Sequence, residues 1–129
     1  MNIINVKINE SVNNIKFGID RNEVRTLMGD VFKEFKKNKF SKNTTDDYEY
    51  CHVFYDEDNK FEAIEFFEDT EVYIDEKLIF PNTLNTVKIL FDNIEEDYGS
   101  FISKENSIAF YCPNNVVECV LIGCKNYYN

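Results

Sequence analysis

Tyr48-Glu49-Tyr50-Cys51-His52-Val53-Phe54-Tyr55-Asp56-Glu57-Asp58-Asn59-Lys60-Phe61-Glu62-Ala63-Ile64-Glu65-Phe66-Phe67 is the stretch from which the fold can be read. Its period is two. Tyr48, Tyr50, His52 and Phe54 fall on one face of an extended chain, and Cys51, Val53 and Tyr55 on the other. Asp56-Glu57-Asp58-Asn59 has the composition of a turn, and Phe61 to Phe67 reads as the returning strand.

Upstream of this hairpin the pattern is mixed. Ile4, Val6 and Ile8 alternate and predict a strand or extended arm. Ile15, Phe17 and Ile19 lead into a helix start, with Asp20 as N-cap and Glu23 three residues on, in the spacing of a capping box. Val24, Leu27 and Met28 then form an apolar stripe, and Gly29 is placed to end the helix. Val31, Phe32 and Phe35 repeat the helical spacing and predict a second short helix, and Lys36 to Asp47 reads as a polar loop. Downstream, Val72 to Ile74 and Leu78 to Phe80 make a shorter strand pair. Asn82 and Thr83 can cap a helix carrying Leu84, Val87, Leu90, Phe91 and Ile94 on one face. Ser100–Ser103, Ile108–Cys112 and Val116–Ile122 are the closing strands.

The predicted fold is therefore α+β, with two helices packed on one face of an antiparallel sheet. The 129 residues fit one domain, 1–129. At 43% hydrophobic, the chain can bury a core. A shift of 63 residues lays Phe17 on Phe80, Asp20 on Thr83, Val24 on Val87, Leu27 on Leu90 and Met28 on Phe91. That match suggests two helix-plus-meander units, 15–75 and 78–129.

Charge narrows the function. There are 24 Asp and Glu against 14 Lys and Arg, a net charge of -10, which argues against nucleic acid as a partner. The balance is uneven. Residues 1–42 carry nine bases and five acids, net +4; residues 43–129 carry five bases and nineteen acids, net -14. Thirteen of those acids lie between Asp46 and Glu76, interleaved with tyrosines. This is the composition of a surface that steers a basic protein partner. No apolar run is long enough to span a membrane, and the first residues lack the apolar stretch of a signal peptide, so a cytoplasmic protein is expected. The spacings of Cys51, Cys112, Cys119 and Cys124 match no zinc pattern, and free thiols are expected.

Two resemblances add to this. The stretch Phe17-Gly18-Ile19-Asp20-Arg21-Asn22-Glu23-Val24 through Leu27-Met28-Gly29 resembles the helix entry of β-lactamase-inhibitor-protein-like domains. Those domains use a Gly, a polar cap, a Val and a terminal Gly in this rhythm. The likeness implies tandem helix-plus-sheet repeats that bind other proteins on the sheet. Cysteine pairing and a signal are missing, so the inhibitor activity is not carried over. In size and composition, and in the run Phe61-Glu62-Ala63-Ile64-Glu65-Phe66-Phe67, the chain resembles small acidic immunity proteins of bacterial toxin systems. That likeness implies a bound toxin domain but no residue-level site.

No catalytic signature accompanies these features. His52 is the only histidine, and the four glycines form neither a phosphate loop nor a dinucleotide fingerprint. Asp56-Glu57-Asp58-Asn59 is too short for a calcium loop. The expectation is a non-catalytic immunity or inhibitor protein that needs no cofactor and neutralises a basic partner, most simply a toxin nuclease domain. Its partner-binding residues are expected to be Asp56, Glu57, Asp58, Glu65, Glu68, Asp69, Glu71 and Tyr73. The alternative is a small carboxylate-dependent or metal-binding enzyme domain using such acids with His52.

Overall fold

The structure is a computed structural model describing residues 1–129. Strands β1 (Asn2–Lys7), β2 (Ser11–Val12) and β3 (Ile15–Lys16) precede helix α1 (Arg21–Met28). Then come β4 (Lys33–Phe35), β5 (Thr45–Asp47), β6 (Cys51–Tyr55), β7 (Phe61–Phe66), β8 (Thr70–Ile74) and β9 (Lys77–Phe80). Helix α2 (Leu84–Leu90) leads to β10 (Glu95–Asp97), β11 (Ser100–Ser103), a 3-10 turn at Lys104–Asn106, β12 (Ile108–Tyr111) and β13 (Cys119–Gly123). The protein is a mixed α+β fold dominated by strands.

Two sheets replace the single one expected. The larger runs β10-β11-β12-β13-β7-β6-β5-β4, antiparallel throughout; the smaller runs β3-β2-β1-β8-β9. In the smaller sheet β1 lies parallel to β8, from Asn2 beside Thr70 to Val6 beside Ile74. Nothing local in the sequence encodes that contact, because the two strands are far apart in the chain. One apolar cluster of 26 buried residues draws on both sheets and both helices. On the larger sheet Cys51, Val53, Ile64, Phe66, Val120, Ile122, Ile108 and Phe110 all turn into it.

The helix starts fall where the capping signals put them, with one difference in chemistry. Thr83 caps α2 through its side chain, accepting from the Thr86 N–H. Asp20 stands at the N-cap of α1 but its carboxylate pairs with Lys60 instead of the helix amides. Val24 is fully buried, whereas Leu27 is exposed. Gly29 ends the helix at φ 97°, a conformation other residues resist.

The second helix expected around Val31–Phe35 is a strand, β4. Its edge pairing with β5, Lys33 beside Asp47, outweighs the local spacing. The expected loop Lys36–Asp47 ends in strand β5. The expected long strand from Tyr48 is interrupted, because Glu49 sits at φ 75° and β6 begins only at Cys51.

Strand β5 carries a charge into the interior, which the reading of Lys36–Asp47 as a loop missed. Asp46 is 0% exposed. Its Oδ1 accepts from Arg21 Nη2 and Arg25 Nη2, each at 2.6 Å; its Oδ2 accepts from Arg25 Nε and the Tyr55 hydroxyl, each at 2.9 Å. Glu34 completes the cluster, accepting from Arg21 and from the Thr44 hydroxyl. Burial pushes the Asp46 carboxyl up, but the bonds from Arg25, Arg21 and Tyr55 outweigh it and leave it below the usual carboxylate range. The stabilisation from a depressed folded value is complete above the unfolded carboxylate value, near pH ~4, and is lost as pH falls through the folded value. Urea titrations repeated at decreasing pH should show stability falling in that window for the wild type, with this contribution absent in Asp46→Asn.

The chain's end returns to the sheet. Gly123 on β13 has no positive φ to explain it; a Cβ there would lie 2.6 Å from Tyr127 Cγ. The glycine is required because the Tyr127 ring packs onto it, and Tyr128 packs edge-on against Tyr127 at 5.0 Å. Gly123→Ala should cost about 1 to 3 kcal/mol by overpacking. Chemical denaturation should show most of that cost vanishing in a Tyr127→Ala background.

Candidate functional site

The face of the larger sheet opposite the buried row is open in part: Phe54, Ala63 and Gly123 on it are buried, Gly123 under the Tyr127 ring, and the row beside them is not. Across all eight strands one register row on this face reads Lys33, Asp47, His52, Glu65, Leu121, Ala109, Ile102, Glu95. The alternation that buries Val53, Ile64 and Ile122 on one side necessarily puts these residues on the other. His52, Glu65, Leu121, Ala109 and Ile102 are all partly exposed.

At the β5–β7 end of the row lies an open cleft of about 590 Å³, lined by Phe32, Asp47, Glu49, His52, Glu65, Phe67 and Glu68. His52 stands in the middle. Its Nε2 is 3.8 Å from Asp47 Oδ1 and its Nδ1 is 3.9 Å from Glu65 Oε1, both too long for hydrogen bonds. Its ring packs 4.7 Å from Phe67 and 4.9 Å from Phe35. Lys33 reaches Asp47 only at 4.0 Å, so four carboxylates in the cleft meet little positive charge from the chain itself.

Of the eight residues the sequence nominated, Glu65 and Glu68 share this cleft. The others lie elsewhere. Asp56 builds the β6–β7 turn, its Oδ1 accepting from the Asp58 and Lys60 amides at 2.9 and 3.0 Å. Asp56 and Glu57 line a groove together with Lys37 and Lys42, so the chain's own basic loop faces them, and Asp58 is exposed at the turn. Asp69 lies 3.8 Å from the N-terminal ammonium. Glu71 accepts from the Tyr73 hydroxyl at 2.8 Å on β8, in the smaller sheet. The set belongs to the hairpin and the strand after it, and the turn and the step to β8 disperse it. Asp47 and Glu49 were not nominated. Their proximity to His52 depends on β5 pairing with β6, Asp47 beside His52.

The cleft can hold a cationic group. Carboxylates supply the charge, and Phe32, Phe67 and the His52 ring supply flat apolar walls. Cys119 is the nearest thiol, with Sγ 3.8 Å from Glu65 Oε2. Burial and then the Glu65 charge push it up to about 12, which keeps it protonated and a poor nucleophile. All four cysteines are free. No helix is long and apolar enough to cross a membrane. No family model, curated protein or solved structure matches the chain.

Proposed function

We propose that the protein is a non-catalytic binding protein of the immunity or inhibitor type, which neutralises a basic partner in the cytoplasm, most simply a toxin nuclease domain. The observation that carries this reading is the open sheet face with its cleft of Asp47, Glu49, Glu65 and Glu68 around His52. A nuclease must present Lys and Arg to phosphates, so a compact acidic face can occupy the same surface. Of the acids nominated from sequence, Glu65 and Glu68 bear on the partner most directly. Asp56, Glu57, Asp58 and Asp69 contribute long-range attraction, and Glu71 and Tyr73 on the smaller sheet contribute least.

The same proposal takes the chain as two helix-plus-meander units with their helices against the buried side of the larger sheet. Matching backbone bonds support it. The Arg21 N–H donates to Asn59 O as the Leu84 N–H does to Asn115 O, all at 2.9 Å. The Phe61 N–H donates to Ile19 O as the Val117 N–H does to Asn82 O, again at 2.9 Å. The two four-strand meanders meet along β7 and β13 in mirror-like order.

The test is to mix the purified protein with the product of the gene immediately upstream, if that product is a basic nuclease. Stoichiometric loss of nuclease activity is expected, with association slowing as salt shortens the Debye length below about 8 Å. Undiminished activity, or association indifferent to salt, contradicts the reading.

A further inference from the structure

The open face has a second half. Beyond Glu65 the register row continues through Leu121, Ala109 and Ile102, and on the next row Cys119 sits beside Tyr111, which is 42% exposed. Leu121, Ala109 and Ile102 are each partly exposed. Tyr128 lies within reach of the Glu65 charge, and burial pushes its hydroxyl above the usual range. Acidic and neutral halves are therefore side by side on one surface, divided along β7 and β13. Seven strand spacings make the row roughly 34 Å long.

We infer that this whole face docks one protein surface in which a basic cluster adjoins an apolar patch, with Leu121, Ala109, Ile102 and Tyr111 taking the apolar part. The inference rests on the acidic-face reading above and adds a requirement to it. Charge complementarity sets the orientation: the partner's cations must lie over the β5–β7 end, because the β11–β13 part of the row is neutral between Glu65 and the edge residue Glu95. The apolar contacts determine how long the complex lasts, since desolvated aromatic and aliphatic anchors act mainly on dissociation.

Two blocked hexapeptides test this, one of three arginines followed by three leucines, the other of three arginines followed by three serines. Each is titrated into isotopically labelled protein, and amide shifts give both affinity and location. The leucine peptide should bind about tenfold tighter, with shifts at Ile102, Ala109 and Leu121 as well as Glu65. Leu121→Ser, checked for an unchanged circular dichroism spectrum, should abolish that preference and leave the serine peptide's affinity unaltered. Glu65→Gln with Glu68→Gln should weaken both peptides. Equal affinity of the two peptides for the wild type overturns this inference while the acidic-face reading survives. A preference that persists in Leu121→Ser also overturns it. Failure of both peptides to bind overturns the inference and the acidic-face reading together.

Discussion

Asp46→Ala is expected to destabilise the protein by about 3 to 5 kcal/mol, read as a shift in the midpoint of guanidinium unfolding at neutral pH. The size follows from what remains. Arg21, whose side chain is 12% exposed, and Arg25, at 32%, would keep two guanidinium groups against the sheet with no buried carboxylate between them. The Tyr55 hydroxyl would lose its acceptor as well. The intact cluster contributes far less than this, because desolvating three charges offsets most of their attraction. Arg25→Ala should cost less than Asp46→Ala, since Arg21 still neutralises Asp46. Losses under about 1 kcal/mol for Asp46→Ala would mean that the arginines swing out to solvent and that the cluster does not fix α1 to β5.

Charge reversal in the cleft should have the second large effect. Glu65→Lys with Glu68→Lys should weaken binding of a basic partner by on the order of a few kcal/mol, measured by calorimetry at fixed salt. The two substitutions change the local charge by four units at residues lining one cleft. Glu57→Lys with Asp58→Lys changes the net charge equally at the exposed β6–β7 turn, but there Lys37 and Lys42 share a groove with Glu57. That pair should slow association at low salt and leave dissociation nearly unchanged. Adding Glu71→Lys to the cleft pair should do little more, because Glu71 belongs to the other sheet. Equal effects from the cleft pair and the turn pair would mean that net charge alone governs recognition.

What could be read from the sequence was local. The β6–β7 hairpin, the α1 start at Asp20, the α2 cap at Thr83 and the three closing strands each follow from period, caps and turn residues within a dozen positions. What could not be read depended on partners distant in the chain. β1 finds β8, and β4 becomes a strand because β5 lies beside it, although Val31, Phe32 and Phe35 carry helical spacing. Thr45-Asp46-Asp47 is a poor strand by composition; two arginines on α1 make its buried acid tenable. Arg21 and Arg25, one turn apart on the helix, were the available signal that an acid must meet that face. The candidate site was half legible. Glu65 and Glu68 could be taken from the acidic run, but Asp47 and Glu49 join them only through the β5–β6 pairing, and Leu121, Ala109 and Ile102 only through the register of the whole sheet.

The most direct measurement is cross-saturation in the complex with the bound basic partner, with this protein labelled for detection. Saturation transferred to His52, Glu65, Ile102, Ala109, Tyr111 and Leu121, with little at the Asp56–Asp58 turn or on β8, is the predicted result. Saturation concentrated on α1, α2 or the smaller sheet, with the open face silent, would contradict the account.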